Sequence, residues 1–231
     1  MKRVELKPTP DQTFEIISGG NPNANFTKII ADSKELQQNG DVEAACNLRF
    51  GAVQTLHELL PDDDEVILEW KHANSRSAIE LLHLSAIDHF LINDFEISSA
   101  LLELSLDLDP EDHLEVSELL AYDYLAMGEY ELFDEVINDI SDKYASRALL
   151  ILWSSFLRDG AIPSGEMTAF RSRFSAFHAE FVGDSHQIDK EYMADIESEK
   201  PTLKAQAREL WLKTENLWTL YPQFIEALKR L

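Results

Sequence analysis

Cysteine, glycine, proline and long apolar runs are all scarce in this sequence, and each scarcity argues against a class of structure. The single cysteine, Cys46, can form neither a disulfide within the chain nor a cysteine-built zinc site. Eight glycines and eight prolines among 231 residues are few for an all-β protein, which needs many turns. No run approaches the roughly 18 consecutive apolar residues of a membrane-spanning helix. We therefore expect a globular protein with no membrane partner.

The start of the chain carries charges but has no apolar stretch behind them. Residues 1–12, with the sequence MKRVELKPTPDQ, lack the apolar core that defines a secretory signal peptide. Because disulfides are characteristic of secreted proteins and this chain cannot form one internally, we expect a cytoplasmic location.

Positive charge is missing from the middle of the chain. Residues 77–142 contain 18 Asp or Glu and no Lys or Arg, so they hold most of the net charge of −23. A surface this negative repels phosphate groups, so we expect neither nucleic acid nor an anionic membrane as a partner. Two interpretations of the acidic segment stay open. It is either a solvated face that keeps the protein soluble or a surface that recognises a basic partner.

A pattern of small, bulky and turn-forming residues occurs three times in the first two thirds of the sequence. Each copy has a turn residue as its anchor, and the second and third anchors are 35 residues apart. A small residue stands seven positions before each anchor, and Val or an aromatic residue stands two positions after it. The anchors are Gly40, Asn93 and Gly128, the small residues are Ser33, Ala86 and Ala121, and the later residues are Val42, Phe95 and Tyr130.

Each position of this pattern has a physical reason. A small residue lets a second helix approach the first closely, and the larger residue three positions on shares its helix face. Glycine suits the left-handed conformation that ends many helices, and asparagine tolerates it next best. Small residues follow again in the second helix of two copies, at Ala45 and Ser98. Phe133 and Arg49 depart from the pattern.

This spacing resembles the tetratricopeptide repeat, a helix-turn-helix unit of about 34 residues. The most similar stretch is LDLDP at residues 106–110. The resemblance implies an all-α fold, a right-handed α-α superhelix in which helical hairpins stack as a solenoid. We expect tetratricopeptide-like repeats over residues 26–182, with clear units at 26–61, 77–110 and 111–142 and a weaker fourth unit at 145–182.

The remaining segments are expected to flank or interrupt these units. Residues 1–25 contain several prolines and glycines and predict an irregular N-terminal arm, while residues 183–231 predict C-terminal capping helices. About 19 extra residues separate the first two anchors, and we expect residues 62–75 to carry them as a lengthened or extra helix. Pro222 should kink or end the helix predicted over residues 202–220. A further stripe at i, i+4, i+7 and i+11 predicts one continuous core-facing helix, and its members are Phe170, Phe174, Phe177 and Phe181.

Motifs for metal binding and catalysis fail at the decisive position. His57 and Glu58 begin like a zinc-protease motif, but Pro61 stands where the second histidine is required. The acidic residues around Pro110 lack the glycine and glutamate of an EF-hand loop, so we expect a charge cap for a helix that begins near Glu111; they are Asp107, Asp109, Glu111 and Asp112. We predict no cofactor, no metal site and no enzyme activity, and a buried, inert Cys46.

The resemblance also implies a binding function, that of a scaffold or adaptor. In this family the first helix of each unit lines a concave groove that holds a peptide or a partner helix. The predicted helix faces nominate the groove residues Glu80, His83, Ile87, Phe90, Glu115, Glu118, Tyr122 and Leu125. An acidic rim around an apolar floor favours a basic or amphipathic protein or peptide partner. Family members that hold a carboxylate there use Lys, Arg and Asn, whereas Glu dominates here.

Two other classes of function stay open. The chain would be a structural subunit if its repeats packed within a homo-oligomer or hetero-oligomer and left no groove free. An enzyme on a helical scaffold is the third hypothesis. The acidic all-helical 14-3-3 phosphopeptide binders are set aside, because their basic phosphate pocket cannot be built from a segment without Lys or Arg.

Overall fold

Helices dominate the computed structural model, which describes residues 4–61 and 65–230. Within those ranges the chain forms twelve α-helices and one two-stranded sheet, which confirms the predicted all-α class. The strands are β1 (Glu5–Pro8) and β2 (Phe14–Ile17). The helices are α1 (Phe26–Gln38), α2 (Val42–His57), α3 (Ala73–Leu91), α4 (Phe95–Leu108), α5 (Ser117–Met127), α6 (Tyr130–Val136), α7 (Ala145–Asp159), α8 (Ser164–Arg173), α9 (Ser175–Phe181), α10 (Lys190–Ile196), α11 (Leu203–Leu220) and α12 (Pro222–Arg230).

The chain divides into two compact units, Met1–Asp123 and Tyr124–Leu231, and the division falls within α5. The first unit holds the hairpin and helices α1 to α4, and the second holds α6 to α12. Among the described helices, none has both the length and the apolar character needed to cross a membrane.

The three predicted anchors share one turn geometry. Gly40, Asn93 and Gly128 all adopt the left-handed conformation, with φ of 85°, 64° and 78°. In each turn the next amide donates to the carbonyl five residues back, a bond that closes a helix end. These bonds are Asp41 to Leu36 at 2.9 Å, Asp94 to His89 at 2.9 Å and Glu129 to Tyr124 at 2.8 Å. The small residues Ser33, Ala86 and Ala121 are fully buried, as their role in close packing predicts.

Helix α3 is the centre of the first unit, since it packs against α1, α2 and α4. Helices α1 and α3 run parallel. Thr27, at the start of α1, contacts the carbonyl of Ala73 at the start of α3. Further along both helices, Lys34 pairs with Glu80. Because the tight turn at Gly40 reverses the chain, α2 runs antiparallel to both.

The prediction of an irregular N-terminal arm is wrong for residues 5–17, which form the antiparallel β1–β2 hairpin. Residues 1–3 lie outside the described part of the chain. Two side chains of α3 hold the hairpin by bonding to backbone groups. The Ser75 hydroxyl accepts from the amide of Ile16 at 3.0 Å, and the Asn74 amide group donates to the carbonyl of Ile16 at 3.0 Å. Ile16 is fully buried, so the hairpin contributes to the core of the first unit.

The insertion before α3 is not helical where it is described. Residues 65–69 have no helical turn, and Leu68 lies in a parallel bridge with Phe14 of the hairpin. The Leu68 amide also donates to the carbonyl of Leu108, at the end of α4, at 2.8 Å. The predicted lengthened or extra helix is therefore wrong for residues 65–72 and correct for residues 73–75, which begin α3. Residues 62–64 lie outside the described part of the chain.

The second unit is built around aromatic side chains. The ring of Trp153 on α7 lies 5.4 Å from that of Trp218 on α11 and 5.2 Å from that of Tyr221. Helix α11 ends at Leu220 and Pro222 begins α12, which confirms the predicted break at that proline. The phenylalanine stripe is buried at its two ends, Phe170 and Phe181, as a core-facing stripe predicts, but its continuity is wrong. Phe174 has φ of −122° and ψ of 46° and separates α8 from α9, so the stripe runs over two helices.

Candidate partner-binding surfaces

The eight predicted groove residues separate into surface and core positions. Glu80, His83 and Ile87 on α3 and Glu118 on α5 are partly exposed. Glu115 is exposed but precedes α5, in a turn with φ of 53°, and so is not on a helix face. The aromatic and leucine residues of the proposed floor are at most 2% exposed, namely Phe90, Tyr122 and Leu125. The predicted apolar floor is therefore wrong.

Packing on several sides of α3 explains this correction. The ring of Phe90 lies 5.8 Å from that of Phe95 and 6.5 Å from that of Tyr122, so it fills space between helices. Nine residues of α3 are buried, and they are distributed around the helix rather than along one stripe. A helix with neighbours on three sides has too few open positions to present an apolar floor.

Two carboxylates of α3 pair with cations from other helices, and the sequence supplies no Lys or Arg after Arg76, near the start of α3, until residue 143. Lys34 Nζ of α1 lies 3.0 Å from Glu80 Oε1. Arg49 of α2 binds both oxygens of Asp88, at 2.8 and 2.7 Å, and its side chain is 3% exposed. Arg49, which departs from the repeat pattern, is thus explained as an ion-pair partner.

The acidic loop before α5 uses its carboxylates for local structure. Asp112 accepts hydrogen bonds from the amides of Val116 and Ser117 at 2.7 and 3.1 Å and so caps α5. The predicted start of that helix near Glu111 is wrong, because α5 begins at Ser117. Asp109 accepts from the amide of His113 at 3.0 Å, and the His113 ring stacks on that of Trp70 at 4.3 Å. In the described ranges, no group of three His, Cys, Asp or Glu side chains is arranged to hold a metal ion.

Cys46 is half-buried rather than buried. Burial raises the pKa of its thiol, and Asp88 adds to the shift. A raised pKa lowers the fraction of reactive thiolate.

Sequence reasoning missed a group of exposed apolar side chains where α2 meets the turn between α3 and α4. We call this group the turn patch, and its members with their exposed fractions are Val42 (51%), Phe50 (37%), Leu91 (49%), Ile92 (70%) and Ile97 (38%). An available signal was the pair Leu91-Ile92, which places two large apolar residues directly before a turn residue. Adjacent apolar side chains at that position are unusual for a solvated helix end.

Contacts around His89 bring two members of the turn patch, Phe50 and Ile92, close together. The Phe50 ring of α2 lies 5.5 Å from the His89 ring. The amides of Ile92 and Asp94 both donate to the His89 carbonyl, at 3.2 and 2.9 Å. His89 Nδ1 also lies 3.1 Å from Asp94 Oδ2. The turn is therefore folded against His89, beside Phe50.

Acidic residues adjoin members of the turn patch in the sequence. Asp41 lies directly before α2, and Glu43 lies in the first turn of that helix. Asp94 and Glu96 have the same two positions at the start of α4. The nearest cation in the sequence of α2 is Arg49, which is already occupied by Asp88. The surroundings of the patch are therefore negative.

In the second unit, an open groove of about 240 Å³ lies between α6 and α7. Its apolar lining includes Phe133, Ile137 and Ile151. Arg158 pairs with Asp134 at 2.6 Å, and Arg147 donates to the carbonyl of Ile137 at 3.1 Å. Both arginines hold α6 against α7, so the groove is bordered by side chains that stabilise the fold.

Comparison of the chain with protein-family models, with curated proteins and with solved structures gives no match. The tetratricopeptide resemblance therefore depends on residue spacing and on the geometry of the three turns.

Proposed function

We propose that this chain is a protein–protein interaction module, a scaffold or adaptor of tetratricopeptide-like units that binds a basic, amphipathic peptide or helix. The three equivalent turns at Gly40, Asn93 and Gly128 support the repeated unit. The parallel packing of α1 and α3 also supports it, since first helices of stacked hairpins lie side by side. The right-handed superhelix is part of the proposal.

The observation that carries the proposal is the shortage of cations in the first unit. Residues 1–123 contain 25 Asp or Glu and 8 Lys or Arg. Among the described residues, Lys34 of α1 and Arg49 of α2 pair with carboxylates of α3. Around α3 to α5 the carboxylates therefore outnumber the cations that reach them. A cationic partner gains both faster association and complementary contacts from such a surface.

A pair of synthetic peptides tests the proposal. One is a 14-residue peptide of leucine and lysine with all leucines on one helical face, and the other has the same composition in scrambled order. Fluorescence anisotropy with the full chain at 50, 150 and 500 mM NaCl measures both affinities. We expect the amphipathic peptide to bind at least tenfold more tightly, with an affinity that falls as salt rises.

Two results would contradict the proposal. Equal affinity for both peptides would show that charge alone attracts them and that the acidic segment is a solvated face. No binding of either peptide, together with assembly of the chain into oligomers in a sedimentation concentration series, would favour the structural subunit instead.

A further inference from the structure

We infer that the turn patch, and not the predicted groove on α3 and α5, is where the basic amphipathic partner docks. The inference depends on the proposed function and adds the location of the binding surface. Its partner is a helix of another protein with an apolar stripe flanked by lysine or arginine.

Helix geometry places the apolar side chains of α2 along one face of that helix. Val42, Cys46 and Phe50 are four residues apart, so they form one stripe along α2. Because α2 runs antiparallel to α3 and Phe50 lies beside His89, Cys46 and Val42 extend towards the end of α3. Leu91 is three residues after Asp88, which faces Arg49 of α2, and so lies on that side of α3. The patch is therefore continuous from α2 to the turn.

The dimensions of the patch fit a helix. Val42 and Phe50 are eight residues apart, which spans about 12 Å along α2. That length matches about two turns of a partner helix, whose apolar anchors recur at i, i+3 or i+4, and i+7. The backbone bonds of the turn to the His89 carbonyl fix the surface before binding.

The charge around the patch selects a cationic partner. Four carboxylates border it, those of Asp41, Glu43, Asp94 and Glu96. The ends of α1 and α3 and the starts of α2 and α4 meet here, so their opposite helix dipoles largely cancel. The carboxylates therefore determine the sign of the local field, and lysines beside the apolar stripe of a partner would complement it.

The test compares matched surface variants in the amphipathic-peptide assay. Ile92→Ser with Ile97→Ser removes apolar area from the patch. Ile188→Ser with Leu203→Ser is the control, since these residues are 64% and 63% exposed in the second unit. We expect the patch variant to bind at least tenfold more weakly and the control to stay within twofold of the unaltered chain.

A second pair of variants tests the charged border. Glu43→Lys with Glu96→Lys should weaken binding and flatten its salt dependence. Glu197→Lys with Glu199→Lys makes the same change in net charge at exposed positions of the second unit and should leave the salt dependence unchanged. Circular dichroism spectra and melting temperatures of all variants show whether each still folds.

Different results would contradict the docking location and the proposed function. If the amphipathic peptide binds selectively and the patch variants bind as well as the controls do, the turn patch is wrong and the proposed function stands. If the chain does not distinguish the two peptides, the proposed function itself fails. If sedimentation shows a dimer that only the patch variants dissociate, the patch is occupied by a second copy and the inference is overturned. A photo-crosslinking peptide that labels residues 42–50 and 91–97 would support the location even for a weakened variant.

Discussion

Two buried carboxyl groups, one in each unit, behave in opposite ways. Asp123 in the first unit is fully buried, and burial raises its pKa to about 8, an effect that the Ser98 hydroxyl opposes only in part. Glu180 in the second unit is also buried. Burial alone would raise the pKa of Glu180, but hydrogen bonds from Arg208 and His186 outweigh it and lower the pKa.

The contacts of Glu180 show what Asp123 lacks. Arg208 of α11 binds both oxygens of Glu180, and His186 Nδ1 lies 2.8 Å from Oε1. Arg208 also donates to the carbonyl of Gln187 at 2.7 Å, so the network ties the loop before α10 to α11. Among the described residues no Lys, Arg or His pairs with Asp123.

The difference follows from how charge is distributed along the sequence. Residues 143–231 contain 12 acidic and 12 basic residues, so a cation is available nearby for a carboxylate that becomes buried. Residues 77–142 contain no Lys or Arg, so a carboxyl group buried there without a cation from another segment, as Asp123 is, is favoured in its neutral form, whereas Asp88 is paired by Arg49 of α2. The acidic composition of the first unit therefore affects the protonation of a buried group, Asp123, as well as the charge of the surface.

Deleting residues 200–231 should have the largest effect on the second unit. The deletion removes Arg208, the partner of Glu180, together with the aromatic side chains of α11 that cover the core. Trp211 and Trp218 of α11 contact the ring of Phe181 at 5.1 and 5.7 Å. Without them a large apolar surface is exposed, and we expect aggregation rather than a soluble shorter protein. Size-exclusion chromatography with light scattering measures this. A soluble, monomeric and fully helical truncation would show that α11 and α12 are peripheral.

Arg208→Met makes Glu180 resemble Asp123 without removing a helix. Breaking one partner of a buried ion pair costs about 3–5 kcal/mol, so we expect the free energy of unfolding at pH 7 to fall by about 3 kcal/mol. In the unaltered chain, the lowered pKa of Glu180 gives stability that is present above the unfolded-state pKa and is lost as pH falls through the folded-state value. Urea unfolding from pH 3 to pH 7 should show this loss, and the variant should lack most of it.

Glu180→Gln combined with Arg208→Met is the control, because it removes both charges. The double variant should recover part of the lost stability. If the single variant is as stable as the unaltered chain, the network does not stabilise the second unit.

Asp123→Asn should act in the opposite direction and increase stability. Burial raises the folded-state pKa of Asp123 to about 8, so the folded protein keeps this carboxyl group protonated. The protein is therefore most stable below the unfolded-state pKa of Asp123, and it loses stability as pH rises towards 8, because the unfolded chain ionises first. Near neutral pH this loss is on the order of 4 kcal/mol, and burying the asparagine amide costs about 1–3 kcal/mol. We expect a net gain of roughly 2 kcal/mol at pH 8 in urea unfolding and no gain at pH 4. A variant less stable than the unaltered chain at pH 8 would mean that Asp123 is ionised and compensated.

The features that the sequence predicted are those with local causes. Gly40, Asn93 and Gly128 end helices because of their own backbone preferences, and Asp112 caps α5 through its own side chain. Most of the failures involve distant partners. Nothing near residues 5–17 shows that Asn74 and Ser75 will hold a hairpin there, and no helical period shows that α3 has neighbours on three sides. The placement of Phe90 in the core and of Ile92 on the surface depends on that packing.

Removing metal ions by chelation should have the smallest effect of these tests, since we expect no change in the stability of either unit. A bound cation is another way in which the first unit could offset its carboxylates, and the acidic loop before α5, with the last turn of α4, holds five of them within residues 107–115. Asp109 and Asp112 are already occupied by His113 and by the amides of Val116 and Ser117.

We expect the melting temperature at pH 7 to be unchanged by 1 mM EDTA, with added calcium as the matched control. A melting temperature lowered by EDTA and restored by calcium would show that the loop binds metal, because a metal that binds the folded state stabilises it in proportion to its occupancy. The carboxylates would then be compensated by an ion, and the case for a basic protein partner would weaken accordingly.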